Sequence, residues 1–320
     1  MNKVILGRTG IEVSVLCFGS LVMGPLQANL PLDRGAEIIA YALKKGINFI
    51  DTAELYETYP YIKKAMAISG IKPVIATKCY AYDRAGAEKS FDTARKALDL
   101  DVIDIFCLHE QESEFTLKGH SEAIEYFLHQ KDKGNIKAVG VSTHFAACVE
   151  ALTKMEEIDV VHPLVNKSGV GIADASVSTM LEAVKKAFDS GKGIYSMKAL
   201  GGGNLLGSYG EALSFVLELP FIHSVAIGMQ SESEVDDNVA FFENWCSRGK
   251  IPEQSINAEP LKNKSLHVDY WCTGCGKCVK RCKQGALSIK NGKAVVDIAR
   301  CAVCGYCAEV CRDAFALKIY

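Results

Sequence analysis

The 320-residue chain lacks the features that mark membrane and secreted proteins. No apolar run approaches the roughly 20 residues that a membrane-spanning helix needs, and no apolar segment precedes the first strand-like residues as a secretory signal would. We therefore expect a cytoplasmic protein without membrane contact. Unpaired thiols fit that compartment, because reducing conditions keep cysteines from forming disulfides.

A glycine-rich dinucleotide loop is also missing. The first strand-like segment runs into Phe18–Leu21 (FGSL) without the G-x-G-x-x-G fingerprint of a doubly wound sheet. The clustered basic residues of the C-terminal part have no interleaved aromatic residues to stack on bases, so we expect no nucleic-acid partner. These absences argue against an open dinucleotide-binding sheet and against nucleic-acid binding.

Cysteine, by contrast, is abundant, with 13 residues. Eight of them form two C-x2-C-x2-C-x3-C runs near the C-terminal end. This spacing is typical of a pair of [4Fe–4S] clusters, in which the fourth cysteine of each run ligates the cluster of the other run. We expect one cluster on Cys272, Cys275, Cys278 and Cys311, and the other on Cys301, Cys304, Cys307 and Cys282.

Two other interpretations of these cysteines are weaker. A zinc site typically needs only four cysteines spaced as two pairs. A disulfide framework would not require thiols three positions apart. The two runs therefore favour clusters, and a chain that holds them handles single electrons.

The net charge of −2 hides an uneven distribution. From Lys250 to Tyr320 there are 12 Lys and Arg against 6 Asp and Glu, which leaves 24 against 32 in the first 249 residues. The basic residues crowd the first cysteine run, at Lys277, Lys280, Arg281 and Lys283. Two interpretations stay open: a solvated face, or a docking surface for an acidic electron carrier such as ferredoxin or flavodoxin.

The first 250 residues alternate short β-rich runs with amphipathic helical segments such as Arg34–Lys45 and Ser121–Lys133. Eight strands alternating with helices over about 250 residues fit a (β/α)8 TIM barrel, an α/β fold. The predicted strands are Val15–Phe18, Phe49–Ile50, Pro73–Thr77, Val102–Leu108, Ala138–Val141, Val160–Val161, Gly193–Met197 and Ser224–Ile227.

The organisation along the chain predicts a large barrel followed by a small unit. Residues 1–248 are expected to form the barrel, with an N-terminal hairpin closing one mouth. Periodicity stops at residues 249–267, a predicted linker. Residues 268–320 are too few for a substantial apolar core, so this α+β, ferredoxin-like unit should depend on its metal to fold.

Four ionisable residues lie at or near the ends of successive predicted strands. Asp51, Lys78 and His109 close the second, third and fourth strands, and Tyr56 lies five residues after Asp51. Such residues converge on the mouth where barrel enzymes keep their chemistry. A Lys78 ammonium would favour the Tyr56 phenolate, Asp51 would hold the lysine, and His109 would hydrogen-bond a substrate oxygen. Each residue alone has a structural explanation, but together they predict a catalytic site.

This set is similar to the Asp–Tyr–Lys–His tetrad of the aldo-keto reductases. The stretch Ile50–Tyr56 (IDTAELY) is the most specific, and LGRTGIEVS at 6–14, GVS at 140–142 and ALGGG at 199–203 also resemble that family. With its cysteine runs, the whole chain resembles the family's iron–sulfur-fused branch, which carries a bacterial-type ferredoxin domain. The resemblance implies hydride transfer between a nicotinamide and the carbonyl of a small molecule, with Tyr56 as general acid.

The resemblance also implies a set of cofactor contacts. These are Ser142, His162, Met197, Gly201, Gly202, Gly203, Gly228 and Asn238.

Several of these positions depart from the family pattern. His162 replaces a carboxamide-binding glutamine and Met197 a tyrosine that stacks on nicotinamide. The positions that grip a 2′-phosphate align with Gly228 and Glu234, and a glutamate would repel a phosphate. Two cofactors therefore stay open: NAD(P)H, or a flavin whose phosphate sits at the Gly201–Gly203 loop.

Three functions are compatible with the sequence. The first is a carbonyl oxidoreductase whose clusters exchange electrons with an outside carrier, with a flavin to join hydride and single-electron chemistry. The second is a nicotinamide-dependent carbonyl reductase with purely structural clusters. The third is a redox sensor or electron carrier without enzymatic activity, against which the intact tetrad argues.

Overall fold

The computed structural model describes residues 1–248, 265–282, 284–301, 307, 310–311 and 316–319. Eight parallel strands close into a barrel, which confirms the barrel predicted from the alternating pattern. In the order of their pairing around the barrel the strands are β10 (Ser224–Ile227), β3 (Leu16–Gly19), β4 (Phe49–Asp51), β5 (Val74–Cys79), β6 (Ile103–Leu108), β7 (Ile136–Thr143), β8 (Val160–Pro163) and β9 (Gly193–Met197).

Helices follow the barrel strands and cover the outside of the barrel. Helix α1 shows why: it buries Ala36, Ile39 and Leu43, one face of the helical repeat, and keeps Asp33 and Lys44 exposed at its two ends. The helices of this layer are α1 (Leu32–Lys44), α2 (Tyr59–Ser69), α3 (Arg84–Leu98), α4 (Glu114–Gly119), α5 (Ser121–Asp132), α6 (Ala146–Leu152), α7 (Val177–Asp189), α8 (Tyr209–Leu217) and α9 (Glu232–Arg248).

Two apolar layers result from this arrangement. The larger one lies between the outer faces of the strands and the helices. The smaller one fills the barrel itself, with Phe49, Ala76, Cys107, Val160 and Tyr195 among its members. Because side chains alternate along a strand, residues two positions beyond these core members also point inward, toward the C-terminal mouth.

An N-terminal hairpin covers the opposite end of the barrel. Strands β1 (Lys3–Ile5) and β2 (Glu12–Ser14) pair antiparallel, as predicted, and Leu6 and Val13 join the apolar layer inside the barrel. The Gly7 N–H donates to Nε2 of His223 at 3.2 Å. The hairpin thus closes the N-terminal mouth and leaves the C-terminal mouth for chemistry.

The described part of the C-terminal segment contains short strands and one helix. Strand β11 (Leu266–Val268) pairs antiparallel with β14 (Leu317–Ile319), and β12 (Leu287–Lys290) pairs antiparallel with β13 (Lys293–Val296). Helix α10 (Lys277–Arg281) lies between β11 and β12 in the sequence. Most of the predicted linker, residues 249–264, lies outside the described residues.

A search of the described ranges finds no helix with the length and apolar character needed to cross a membrane.

Candidate active site

The four predicted tetrad residues come together at the C-terminal mouth. Asp51 ends β4, Lys78 lies one residue before the end of β5, and His109 follows β6 directly. Each lies two positions after an inward-facing core residue, so each points into the barrel. Tyr56 ends a short 3-10 helix that follows β4. All four side chains are buried.

Lys78 and Asp51 form a buried ion pair. The Lys78 Nζ lies 2.6 Å from Oδ1 of Asp51 and donates a second hydrogen bond, of 2.8 Å, to the Thr52 carbonyl. The Tyr195 hydroxyl donates to the same carboxylate oxygen at 2.9 Å. Burial by itself would lower the pKa of Lys78, but the charge and hydrogen bond of Asp51, together with the nearby Tyr56, outweigh it and the pKa is raised. Lys78 therefore stays an ammonium at neutral pH.

Tyr56 lies between this ammonium and a neutral imidazole. The Lys78 Nζ is 5.0 Å from the centroid of the Tyr56 ring, and the Tyr56 hydroxyl oxygen is 3.4 Å from Nε2 of His109. Burial, together with the nearby Lys78 charge, holds the pKa of His109 well below its usual value. The site thus pairs a phenol with an uncharged imidazole, an arrangement that suits proton donation to a polarised oxygen.

A second group of side chains at the mouth was not predicted as a site. The Tyr80 ring stacks on His109 with a centroid separation of 4.5 Å, and its hydroxyl donates to Oε2 of Glu110 at 2.7 Å. Arg281, in helix α10, donates to the same Glu110 oxygen at 2.6 Å and to the Tyr80 hydroxyl oxygen at 2.9 Å. The sequence offered only a loop position for Glu110 and a basic cluster for Arg281, so no local signal linked them.

Two of the predicted cofactor residues, His162 and Met197, lie at the same mouth. The His162 ring stacks on Tyr195 at 3.8 Å, and its Nδ1–H donates to the Tyr195 carbonyl at 2.6 Å. Its Nε2 lies 3.6 Å from Oδ1 of Asp51. Burial lowers the pKa of His162 to about 4. Met197, the last residue of β9, is 9% exposed and gives the mouth an apolar side.

The other predicted cofactor residues take part in bonds within the protein. The Ser142 Oγ accepts the Glu110 N–H at 2.9 Å. Asn238 accepts from the Tyr209 hydroxyl at 2.8 Å and donates to the Glu234 carbonyl at 2.7 Å.

The glycine positions contribute backbone rather than side chains. Within the Gly201–Gly203 loop, the N–H groups of Gly201 and Gly203 donate to carbonyls of the same loop, at Lys198 and Leu200. These two amides are not free to cradle a phosphate. Gly228 is exposed beyond β10.

Gln111 provides a buried acceptor beside the tetrad. Its backbone N–H donates to the Ser142 carbonyl at 2.9 Å, and its side-chain Nε2 donates weakly to the His109 carbonyl at 3.4 Å. Its Oε1 is buried with no hydrogen-bond partner among the described residues. An unsatisfied buried oxygen costs free energy, so this atom fits an N–H of a bound molecule such as a nicotinamide carboxamide.

The first predicted cluster set surrounds one small cavity in the C-terminal segment. Cys272, Cys275, Cys278 and Cys311 all line it. The Ala294 N–H donates to the Cys272 sulfur at 3.4 Å. Between the cysteines, Gly274 has a φ of +63°, and a Cβ there would lie 2.3 Å from the Gly292 carbonyl oxygen.

The second predicted set is described only in part. Cys282, Cys301 and Cys307 pack in the same apolar cluster as three cysteines of the first set. Cys304 lies outside the described residues. No disulfide joins any two cysteines of the described ranges.

The described residues contain no group of three or more His, Cys, Asp or Glu that could hold a metal ion. Cys272, Cys275, Cys278 and Cys311 thus line one cavity without forming a recognisable metal-binding group among the described residues.

Comparisons with known proteins identify relatives of the barrel. The model of the aldo/keto reductase family matches residues 15–212, which leaves the cysteine runs outside the match. The chain is 26% identical over 305 residues to an L-galactose dehydrogenase of Arabidopsis thaliana, covering 81% of this chain and 94% of that protein.

Other curated relatives match over shorter stretches. An NADPH-dependent alpha-keto amide reductase of Saccharomyces cerevisiae is 34% identical over 140 residues, which cover 41% of this chain and 44% of that enzyme. The chain likewise spans about half the length of two mycobacterial aldo-keto reductases.

Solved structures share the fold. A putative aldo-keto reductase from Pseudomonas aeruginosa superposes with a TM-score of 0.63 at 24% identity, covering 74% of this chain and 92% of that one. At that identity the likeness supports the barrel fold alone.

Proposed function

Because the chain belongs to the aldo/keto reductase family, an oxidoreductase family, we propose that it reduces the carbonyl group of a small molecule at its barrel mouth. The observation that carries this proposal is the buried Lys78 ammonium beside the Tyr56 ring, with neutral His109 at 3.4 Å from the Tyr56 hydroxyl. Asp51, Tyr56, Lys78 and His109 are the proposed catalytic residues.

The chemistry of these residues follows from their charges. The Tyr56 hydroxyl gives its proton to the carbonyl oxygen as that oxygen gains negative charge, and the oxygen becomes an alcohol. Lys78 stabilises the phenolate left on Tyr56, and Asp51 holds the ammonium in place. In the tautomer that carries its proton on Nε2, His109 donates to the same substrate oxygen and orients it. Solvent returns the proton to Tyr56.

The side chains move the protons of this reaction, but a bound cofactor must supply the hydride. A nicotinamide, or a reduced flavin, supplies it to the carbonyl carbon when bound. We propose Ser142, His162, Met197, Gly201–Gly203, Gly228 and Asn238 as the residues around this cofactor, and the orphaned oxygen of Gln111 supports a carboxamide close to His109. The missing positive charge at Gly228 and Glu234 favours NADH over NADPH.

We further propose that residues 268–320 form a ferredoxin-like domain with two [4Fe–4S] clusters, joined by residues 249–267 to the barrel of residues 1–248. The cavity lined by four cysteines of the predicted first set supports this. Such clusters supply or accept single electrons. The exposed Lys277 and Lys280 beside that cavity suit an acidic carrier such as ferredoxin or flavodoxin.

The test of the reductase proposal is the Tyr56→Phe variant, assayed with a panel of aldehydes and ketones and either nicotinamide. Loss of the proton donor should lower kcat roughly 100- to 10,000-fold. Tyr82→Phe is the matched control, because Tyr82 is exposed and is not one of the four tetrad residues. Unchanged turnover in Tyr56→Phe would show the mechanism to be wrong.

A second candidate function is a nicotinamide-dependent dehydrogenase with structural clusters. The similarity to a plant dehydrogenase over 94% of its length favours it. Anaerobic purification with an optical spectrum and an assay for released flavin separates the two. Bound flavin supports electron exchange with a carrier, whereas NADH turnover without flavin and unaffected by cluster reduction supports the second function.

A further inference from the structure

Among the described residues, the side chain of Arg281 joins the cysteine-rich segment to the barrel mouth. Arg281 ends helix α10 and immediately precedes Cys282. Its Nη2 donates to Oε2 of Glu110 at 2.6 Å and to the Tyr80 hydroxyl oxygen at 2.9 Å. These partners lie 171 and 201 positions away in the sequence. The contact therefore joins two parts of the chain that no local element connects.

The Arg281–Glu110 pair is shielded from water. The Arg281 side chain is 19% exposed and the Glu110 side chain 7%. The guanidinium also lies over the Tyr80 ring, 5.8 Å from its centroid. In such surroundings removal of one partner leaves an uncompensated buried charge, so the remaining groups must rearrange.

Tyr80 and Glu110, which Arg281 contacts, also hold His109. The Tyr80 ring stacks on the imidazole at 4.5 Å, and burial together with Glu110 raises the pKa of Tyr80, so its hydroxyl stays a donor. Glu110 follows His109 directly and has a φ of +58°, a left-handed conformation that a residue with a side chain adopts only when its surroundings hold it. Its N–H donates to Ser142, and its carboxylate accepts from Tyr80 and Arg281.

We propose that Arg281 is a positioning residue of the barrel site, through which the cysteine-rich segment fixes Tyr80 and Glu110 and thereby the orientation of His109. The effect on turnover rests on the proposed reductase function, whereas the contact itself does not. The C-terminal segment is accordingly part of the active-site wall rather than a separate attachment.

The test compares wild-type protein with Arg281→Ala and with Lys280→Ala. Lys280 is the exposed neighbour in the same helix, so its variant is the matched control. Hydrogen exchange followed by mass spectrometry reports on the amides of His109, Glu110 and Gln111, which bond the carbonyl of Cys79 and the Oγ and carbonyl of Ser142. We expect these amides to exchange faster in Arg281→Ala and at the wild-type rate in Lys280→Ala.

Steady-state kinetics provide the second measurement. A misoriented His109 should lower kcat roughly tenfold to a hundredfold with a smaller change in KM. Arg281→Lys should recover part of the loss, because it keeps the charge but not the planar guanidinium. Tyr80→Phe removes only the hydroxyl and should give a smaller effect of the same sign.

The outcomes are separable. Wild-type exchange at residues 109–111 in Arg281→Ala overturns the proposal, whatever the activity. Faster exchange with unchanged kcat also overturns it, because the contact would then be structural only. If the wild-type protein reduces no carbonyl, the reductase function fails, and exchange at His109 still decides whether Arg281 fixes that residue.

Discussion

At the scale of single residues, the buried histidines of the mouth have pKa values below their usual range. Burial lowers the pKa of His109, of His162 (to about 4) and of His144, which directly follows β7. In the unfolded chain these side chains titrate near 6.5. The unfolded state therefore takes up protons first as the pH falls. The stability that His162 contributes is fully present above pH 6.5 and is lost as the pH falls toward 4, an amount of roughly 3 kcal/mol.

His162→Gln tests this linkage. The free energy of unfolding, measured by urea denaturation between pH 7 and pH 4, should fall less steeply with pH in the variant. The difference in slope should correspond to up to one bound proton, because His109 and His144 still titrate in both proteins. His129→Gln is the control, since His129 is exposed. A slope in His162→Gln equal to that of wild type would contradict the assignment of a depressed pKa to His162.

The tetrad positions could be predicted from sequence, and the roles of Tyr80 and Arg281 could not. Asp51 ends β4, Lys78 lies one residue before the end of β5 and His109 directly follows β6, and parallel strands bring such positions to one mouth. Tyr80 directly follows β5 and Arg281 ends helix α10, so neither position by itself indicates a role at the site. Their roles depend on a contact 201 positions apart, which composition and spacing do not encode.

At the scale of elements, the N-terminal hairpin depends on a backbone contact at Gly7. Its φ is +52°, and a Cβ would lie 2.3 Å from the Gly193 backbone nitrogen. Gly7→Ala must therefore move the hairpin away from the barrel as well as strain the backbone. We expect a loss of roughly 2–4 kcal/mol in the free energy of unfolding, measured by urea denaturation.

Gly10→Ala is the matched control in the same turn. Gly10 has a φ of +71° but nothing within 4 Å of its Cβ position. It should show the backbone strain alone, about 1–2 kcal/mol. Both variants should keep the wild-type kcat, because the hairpin covers the mouth opposite to the tetrad. Equal losses at Gly7 and Gly10 would refute the close-contact explanation.

The strands were predicted well because the barrel buries them on both faces. The predicted Gly193–Met197 and Ser224–Ile227 agree with β9 and β10 at both ends. By contrast, β5 extends beyond the predicted Thr77 through Lys78 to Cys79. The polar Lys78 interrupted the apolar pattern there, although its pairing with Asp51 allows it to be buried in the strand.

At the scale of the whole molecule, the sequence suggested that the basic cluster is a solvated face or a dock for an acidic carrier, whereas Arg281 of that cluster pairs with Glu110 of the same chain. The first 249 residues carry a net negative charge and the C-terminal part a net positive charge. The Arg281–Glu110 ion pair is one attraction between these two parts. A charge balance has no direction, however. It could not show that the contact falls beside His109, because that depends on how helix α10 lies over the mouth.

The proposed cluster ligation crosses between the two cysteine runs, and paired substitutions can test it. Cys272 and Cys311 line one cavity although they belong to different runs. If both ligate the same cluster, Cys272→Ala with Cys311→Ala should destroy one cluster and leave about four irons per chain. Cys272→Ala with Cys282→Ala should destroy both clusters, because those two cysteines then serve different ones.

Iron and sulfide analysis of the two double variants, purified without oxygen, reads out the difference. Cys246→Ala, outside both runs, should keep about eight irons per chain and is the control. If each run instead held its own cluster, the result would reverse, and the Cys272 and Cys282 pair would be the one that retains iron. Crossed ligation would make the fold of the segment depend on both runs at once. The Arg281 contact at the barrel mouth would then depend on cysteines up to Cys311.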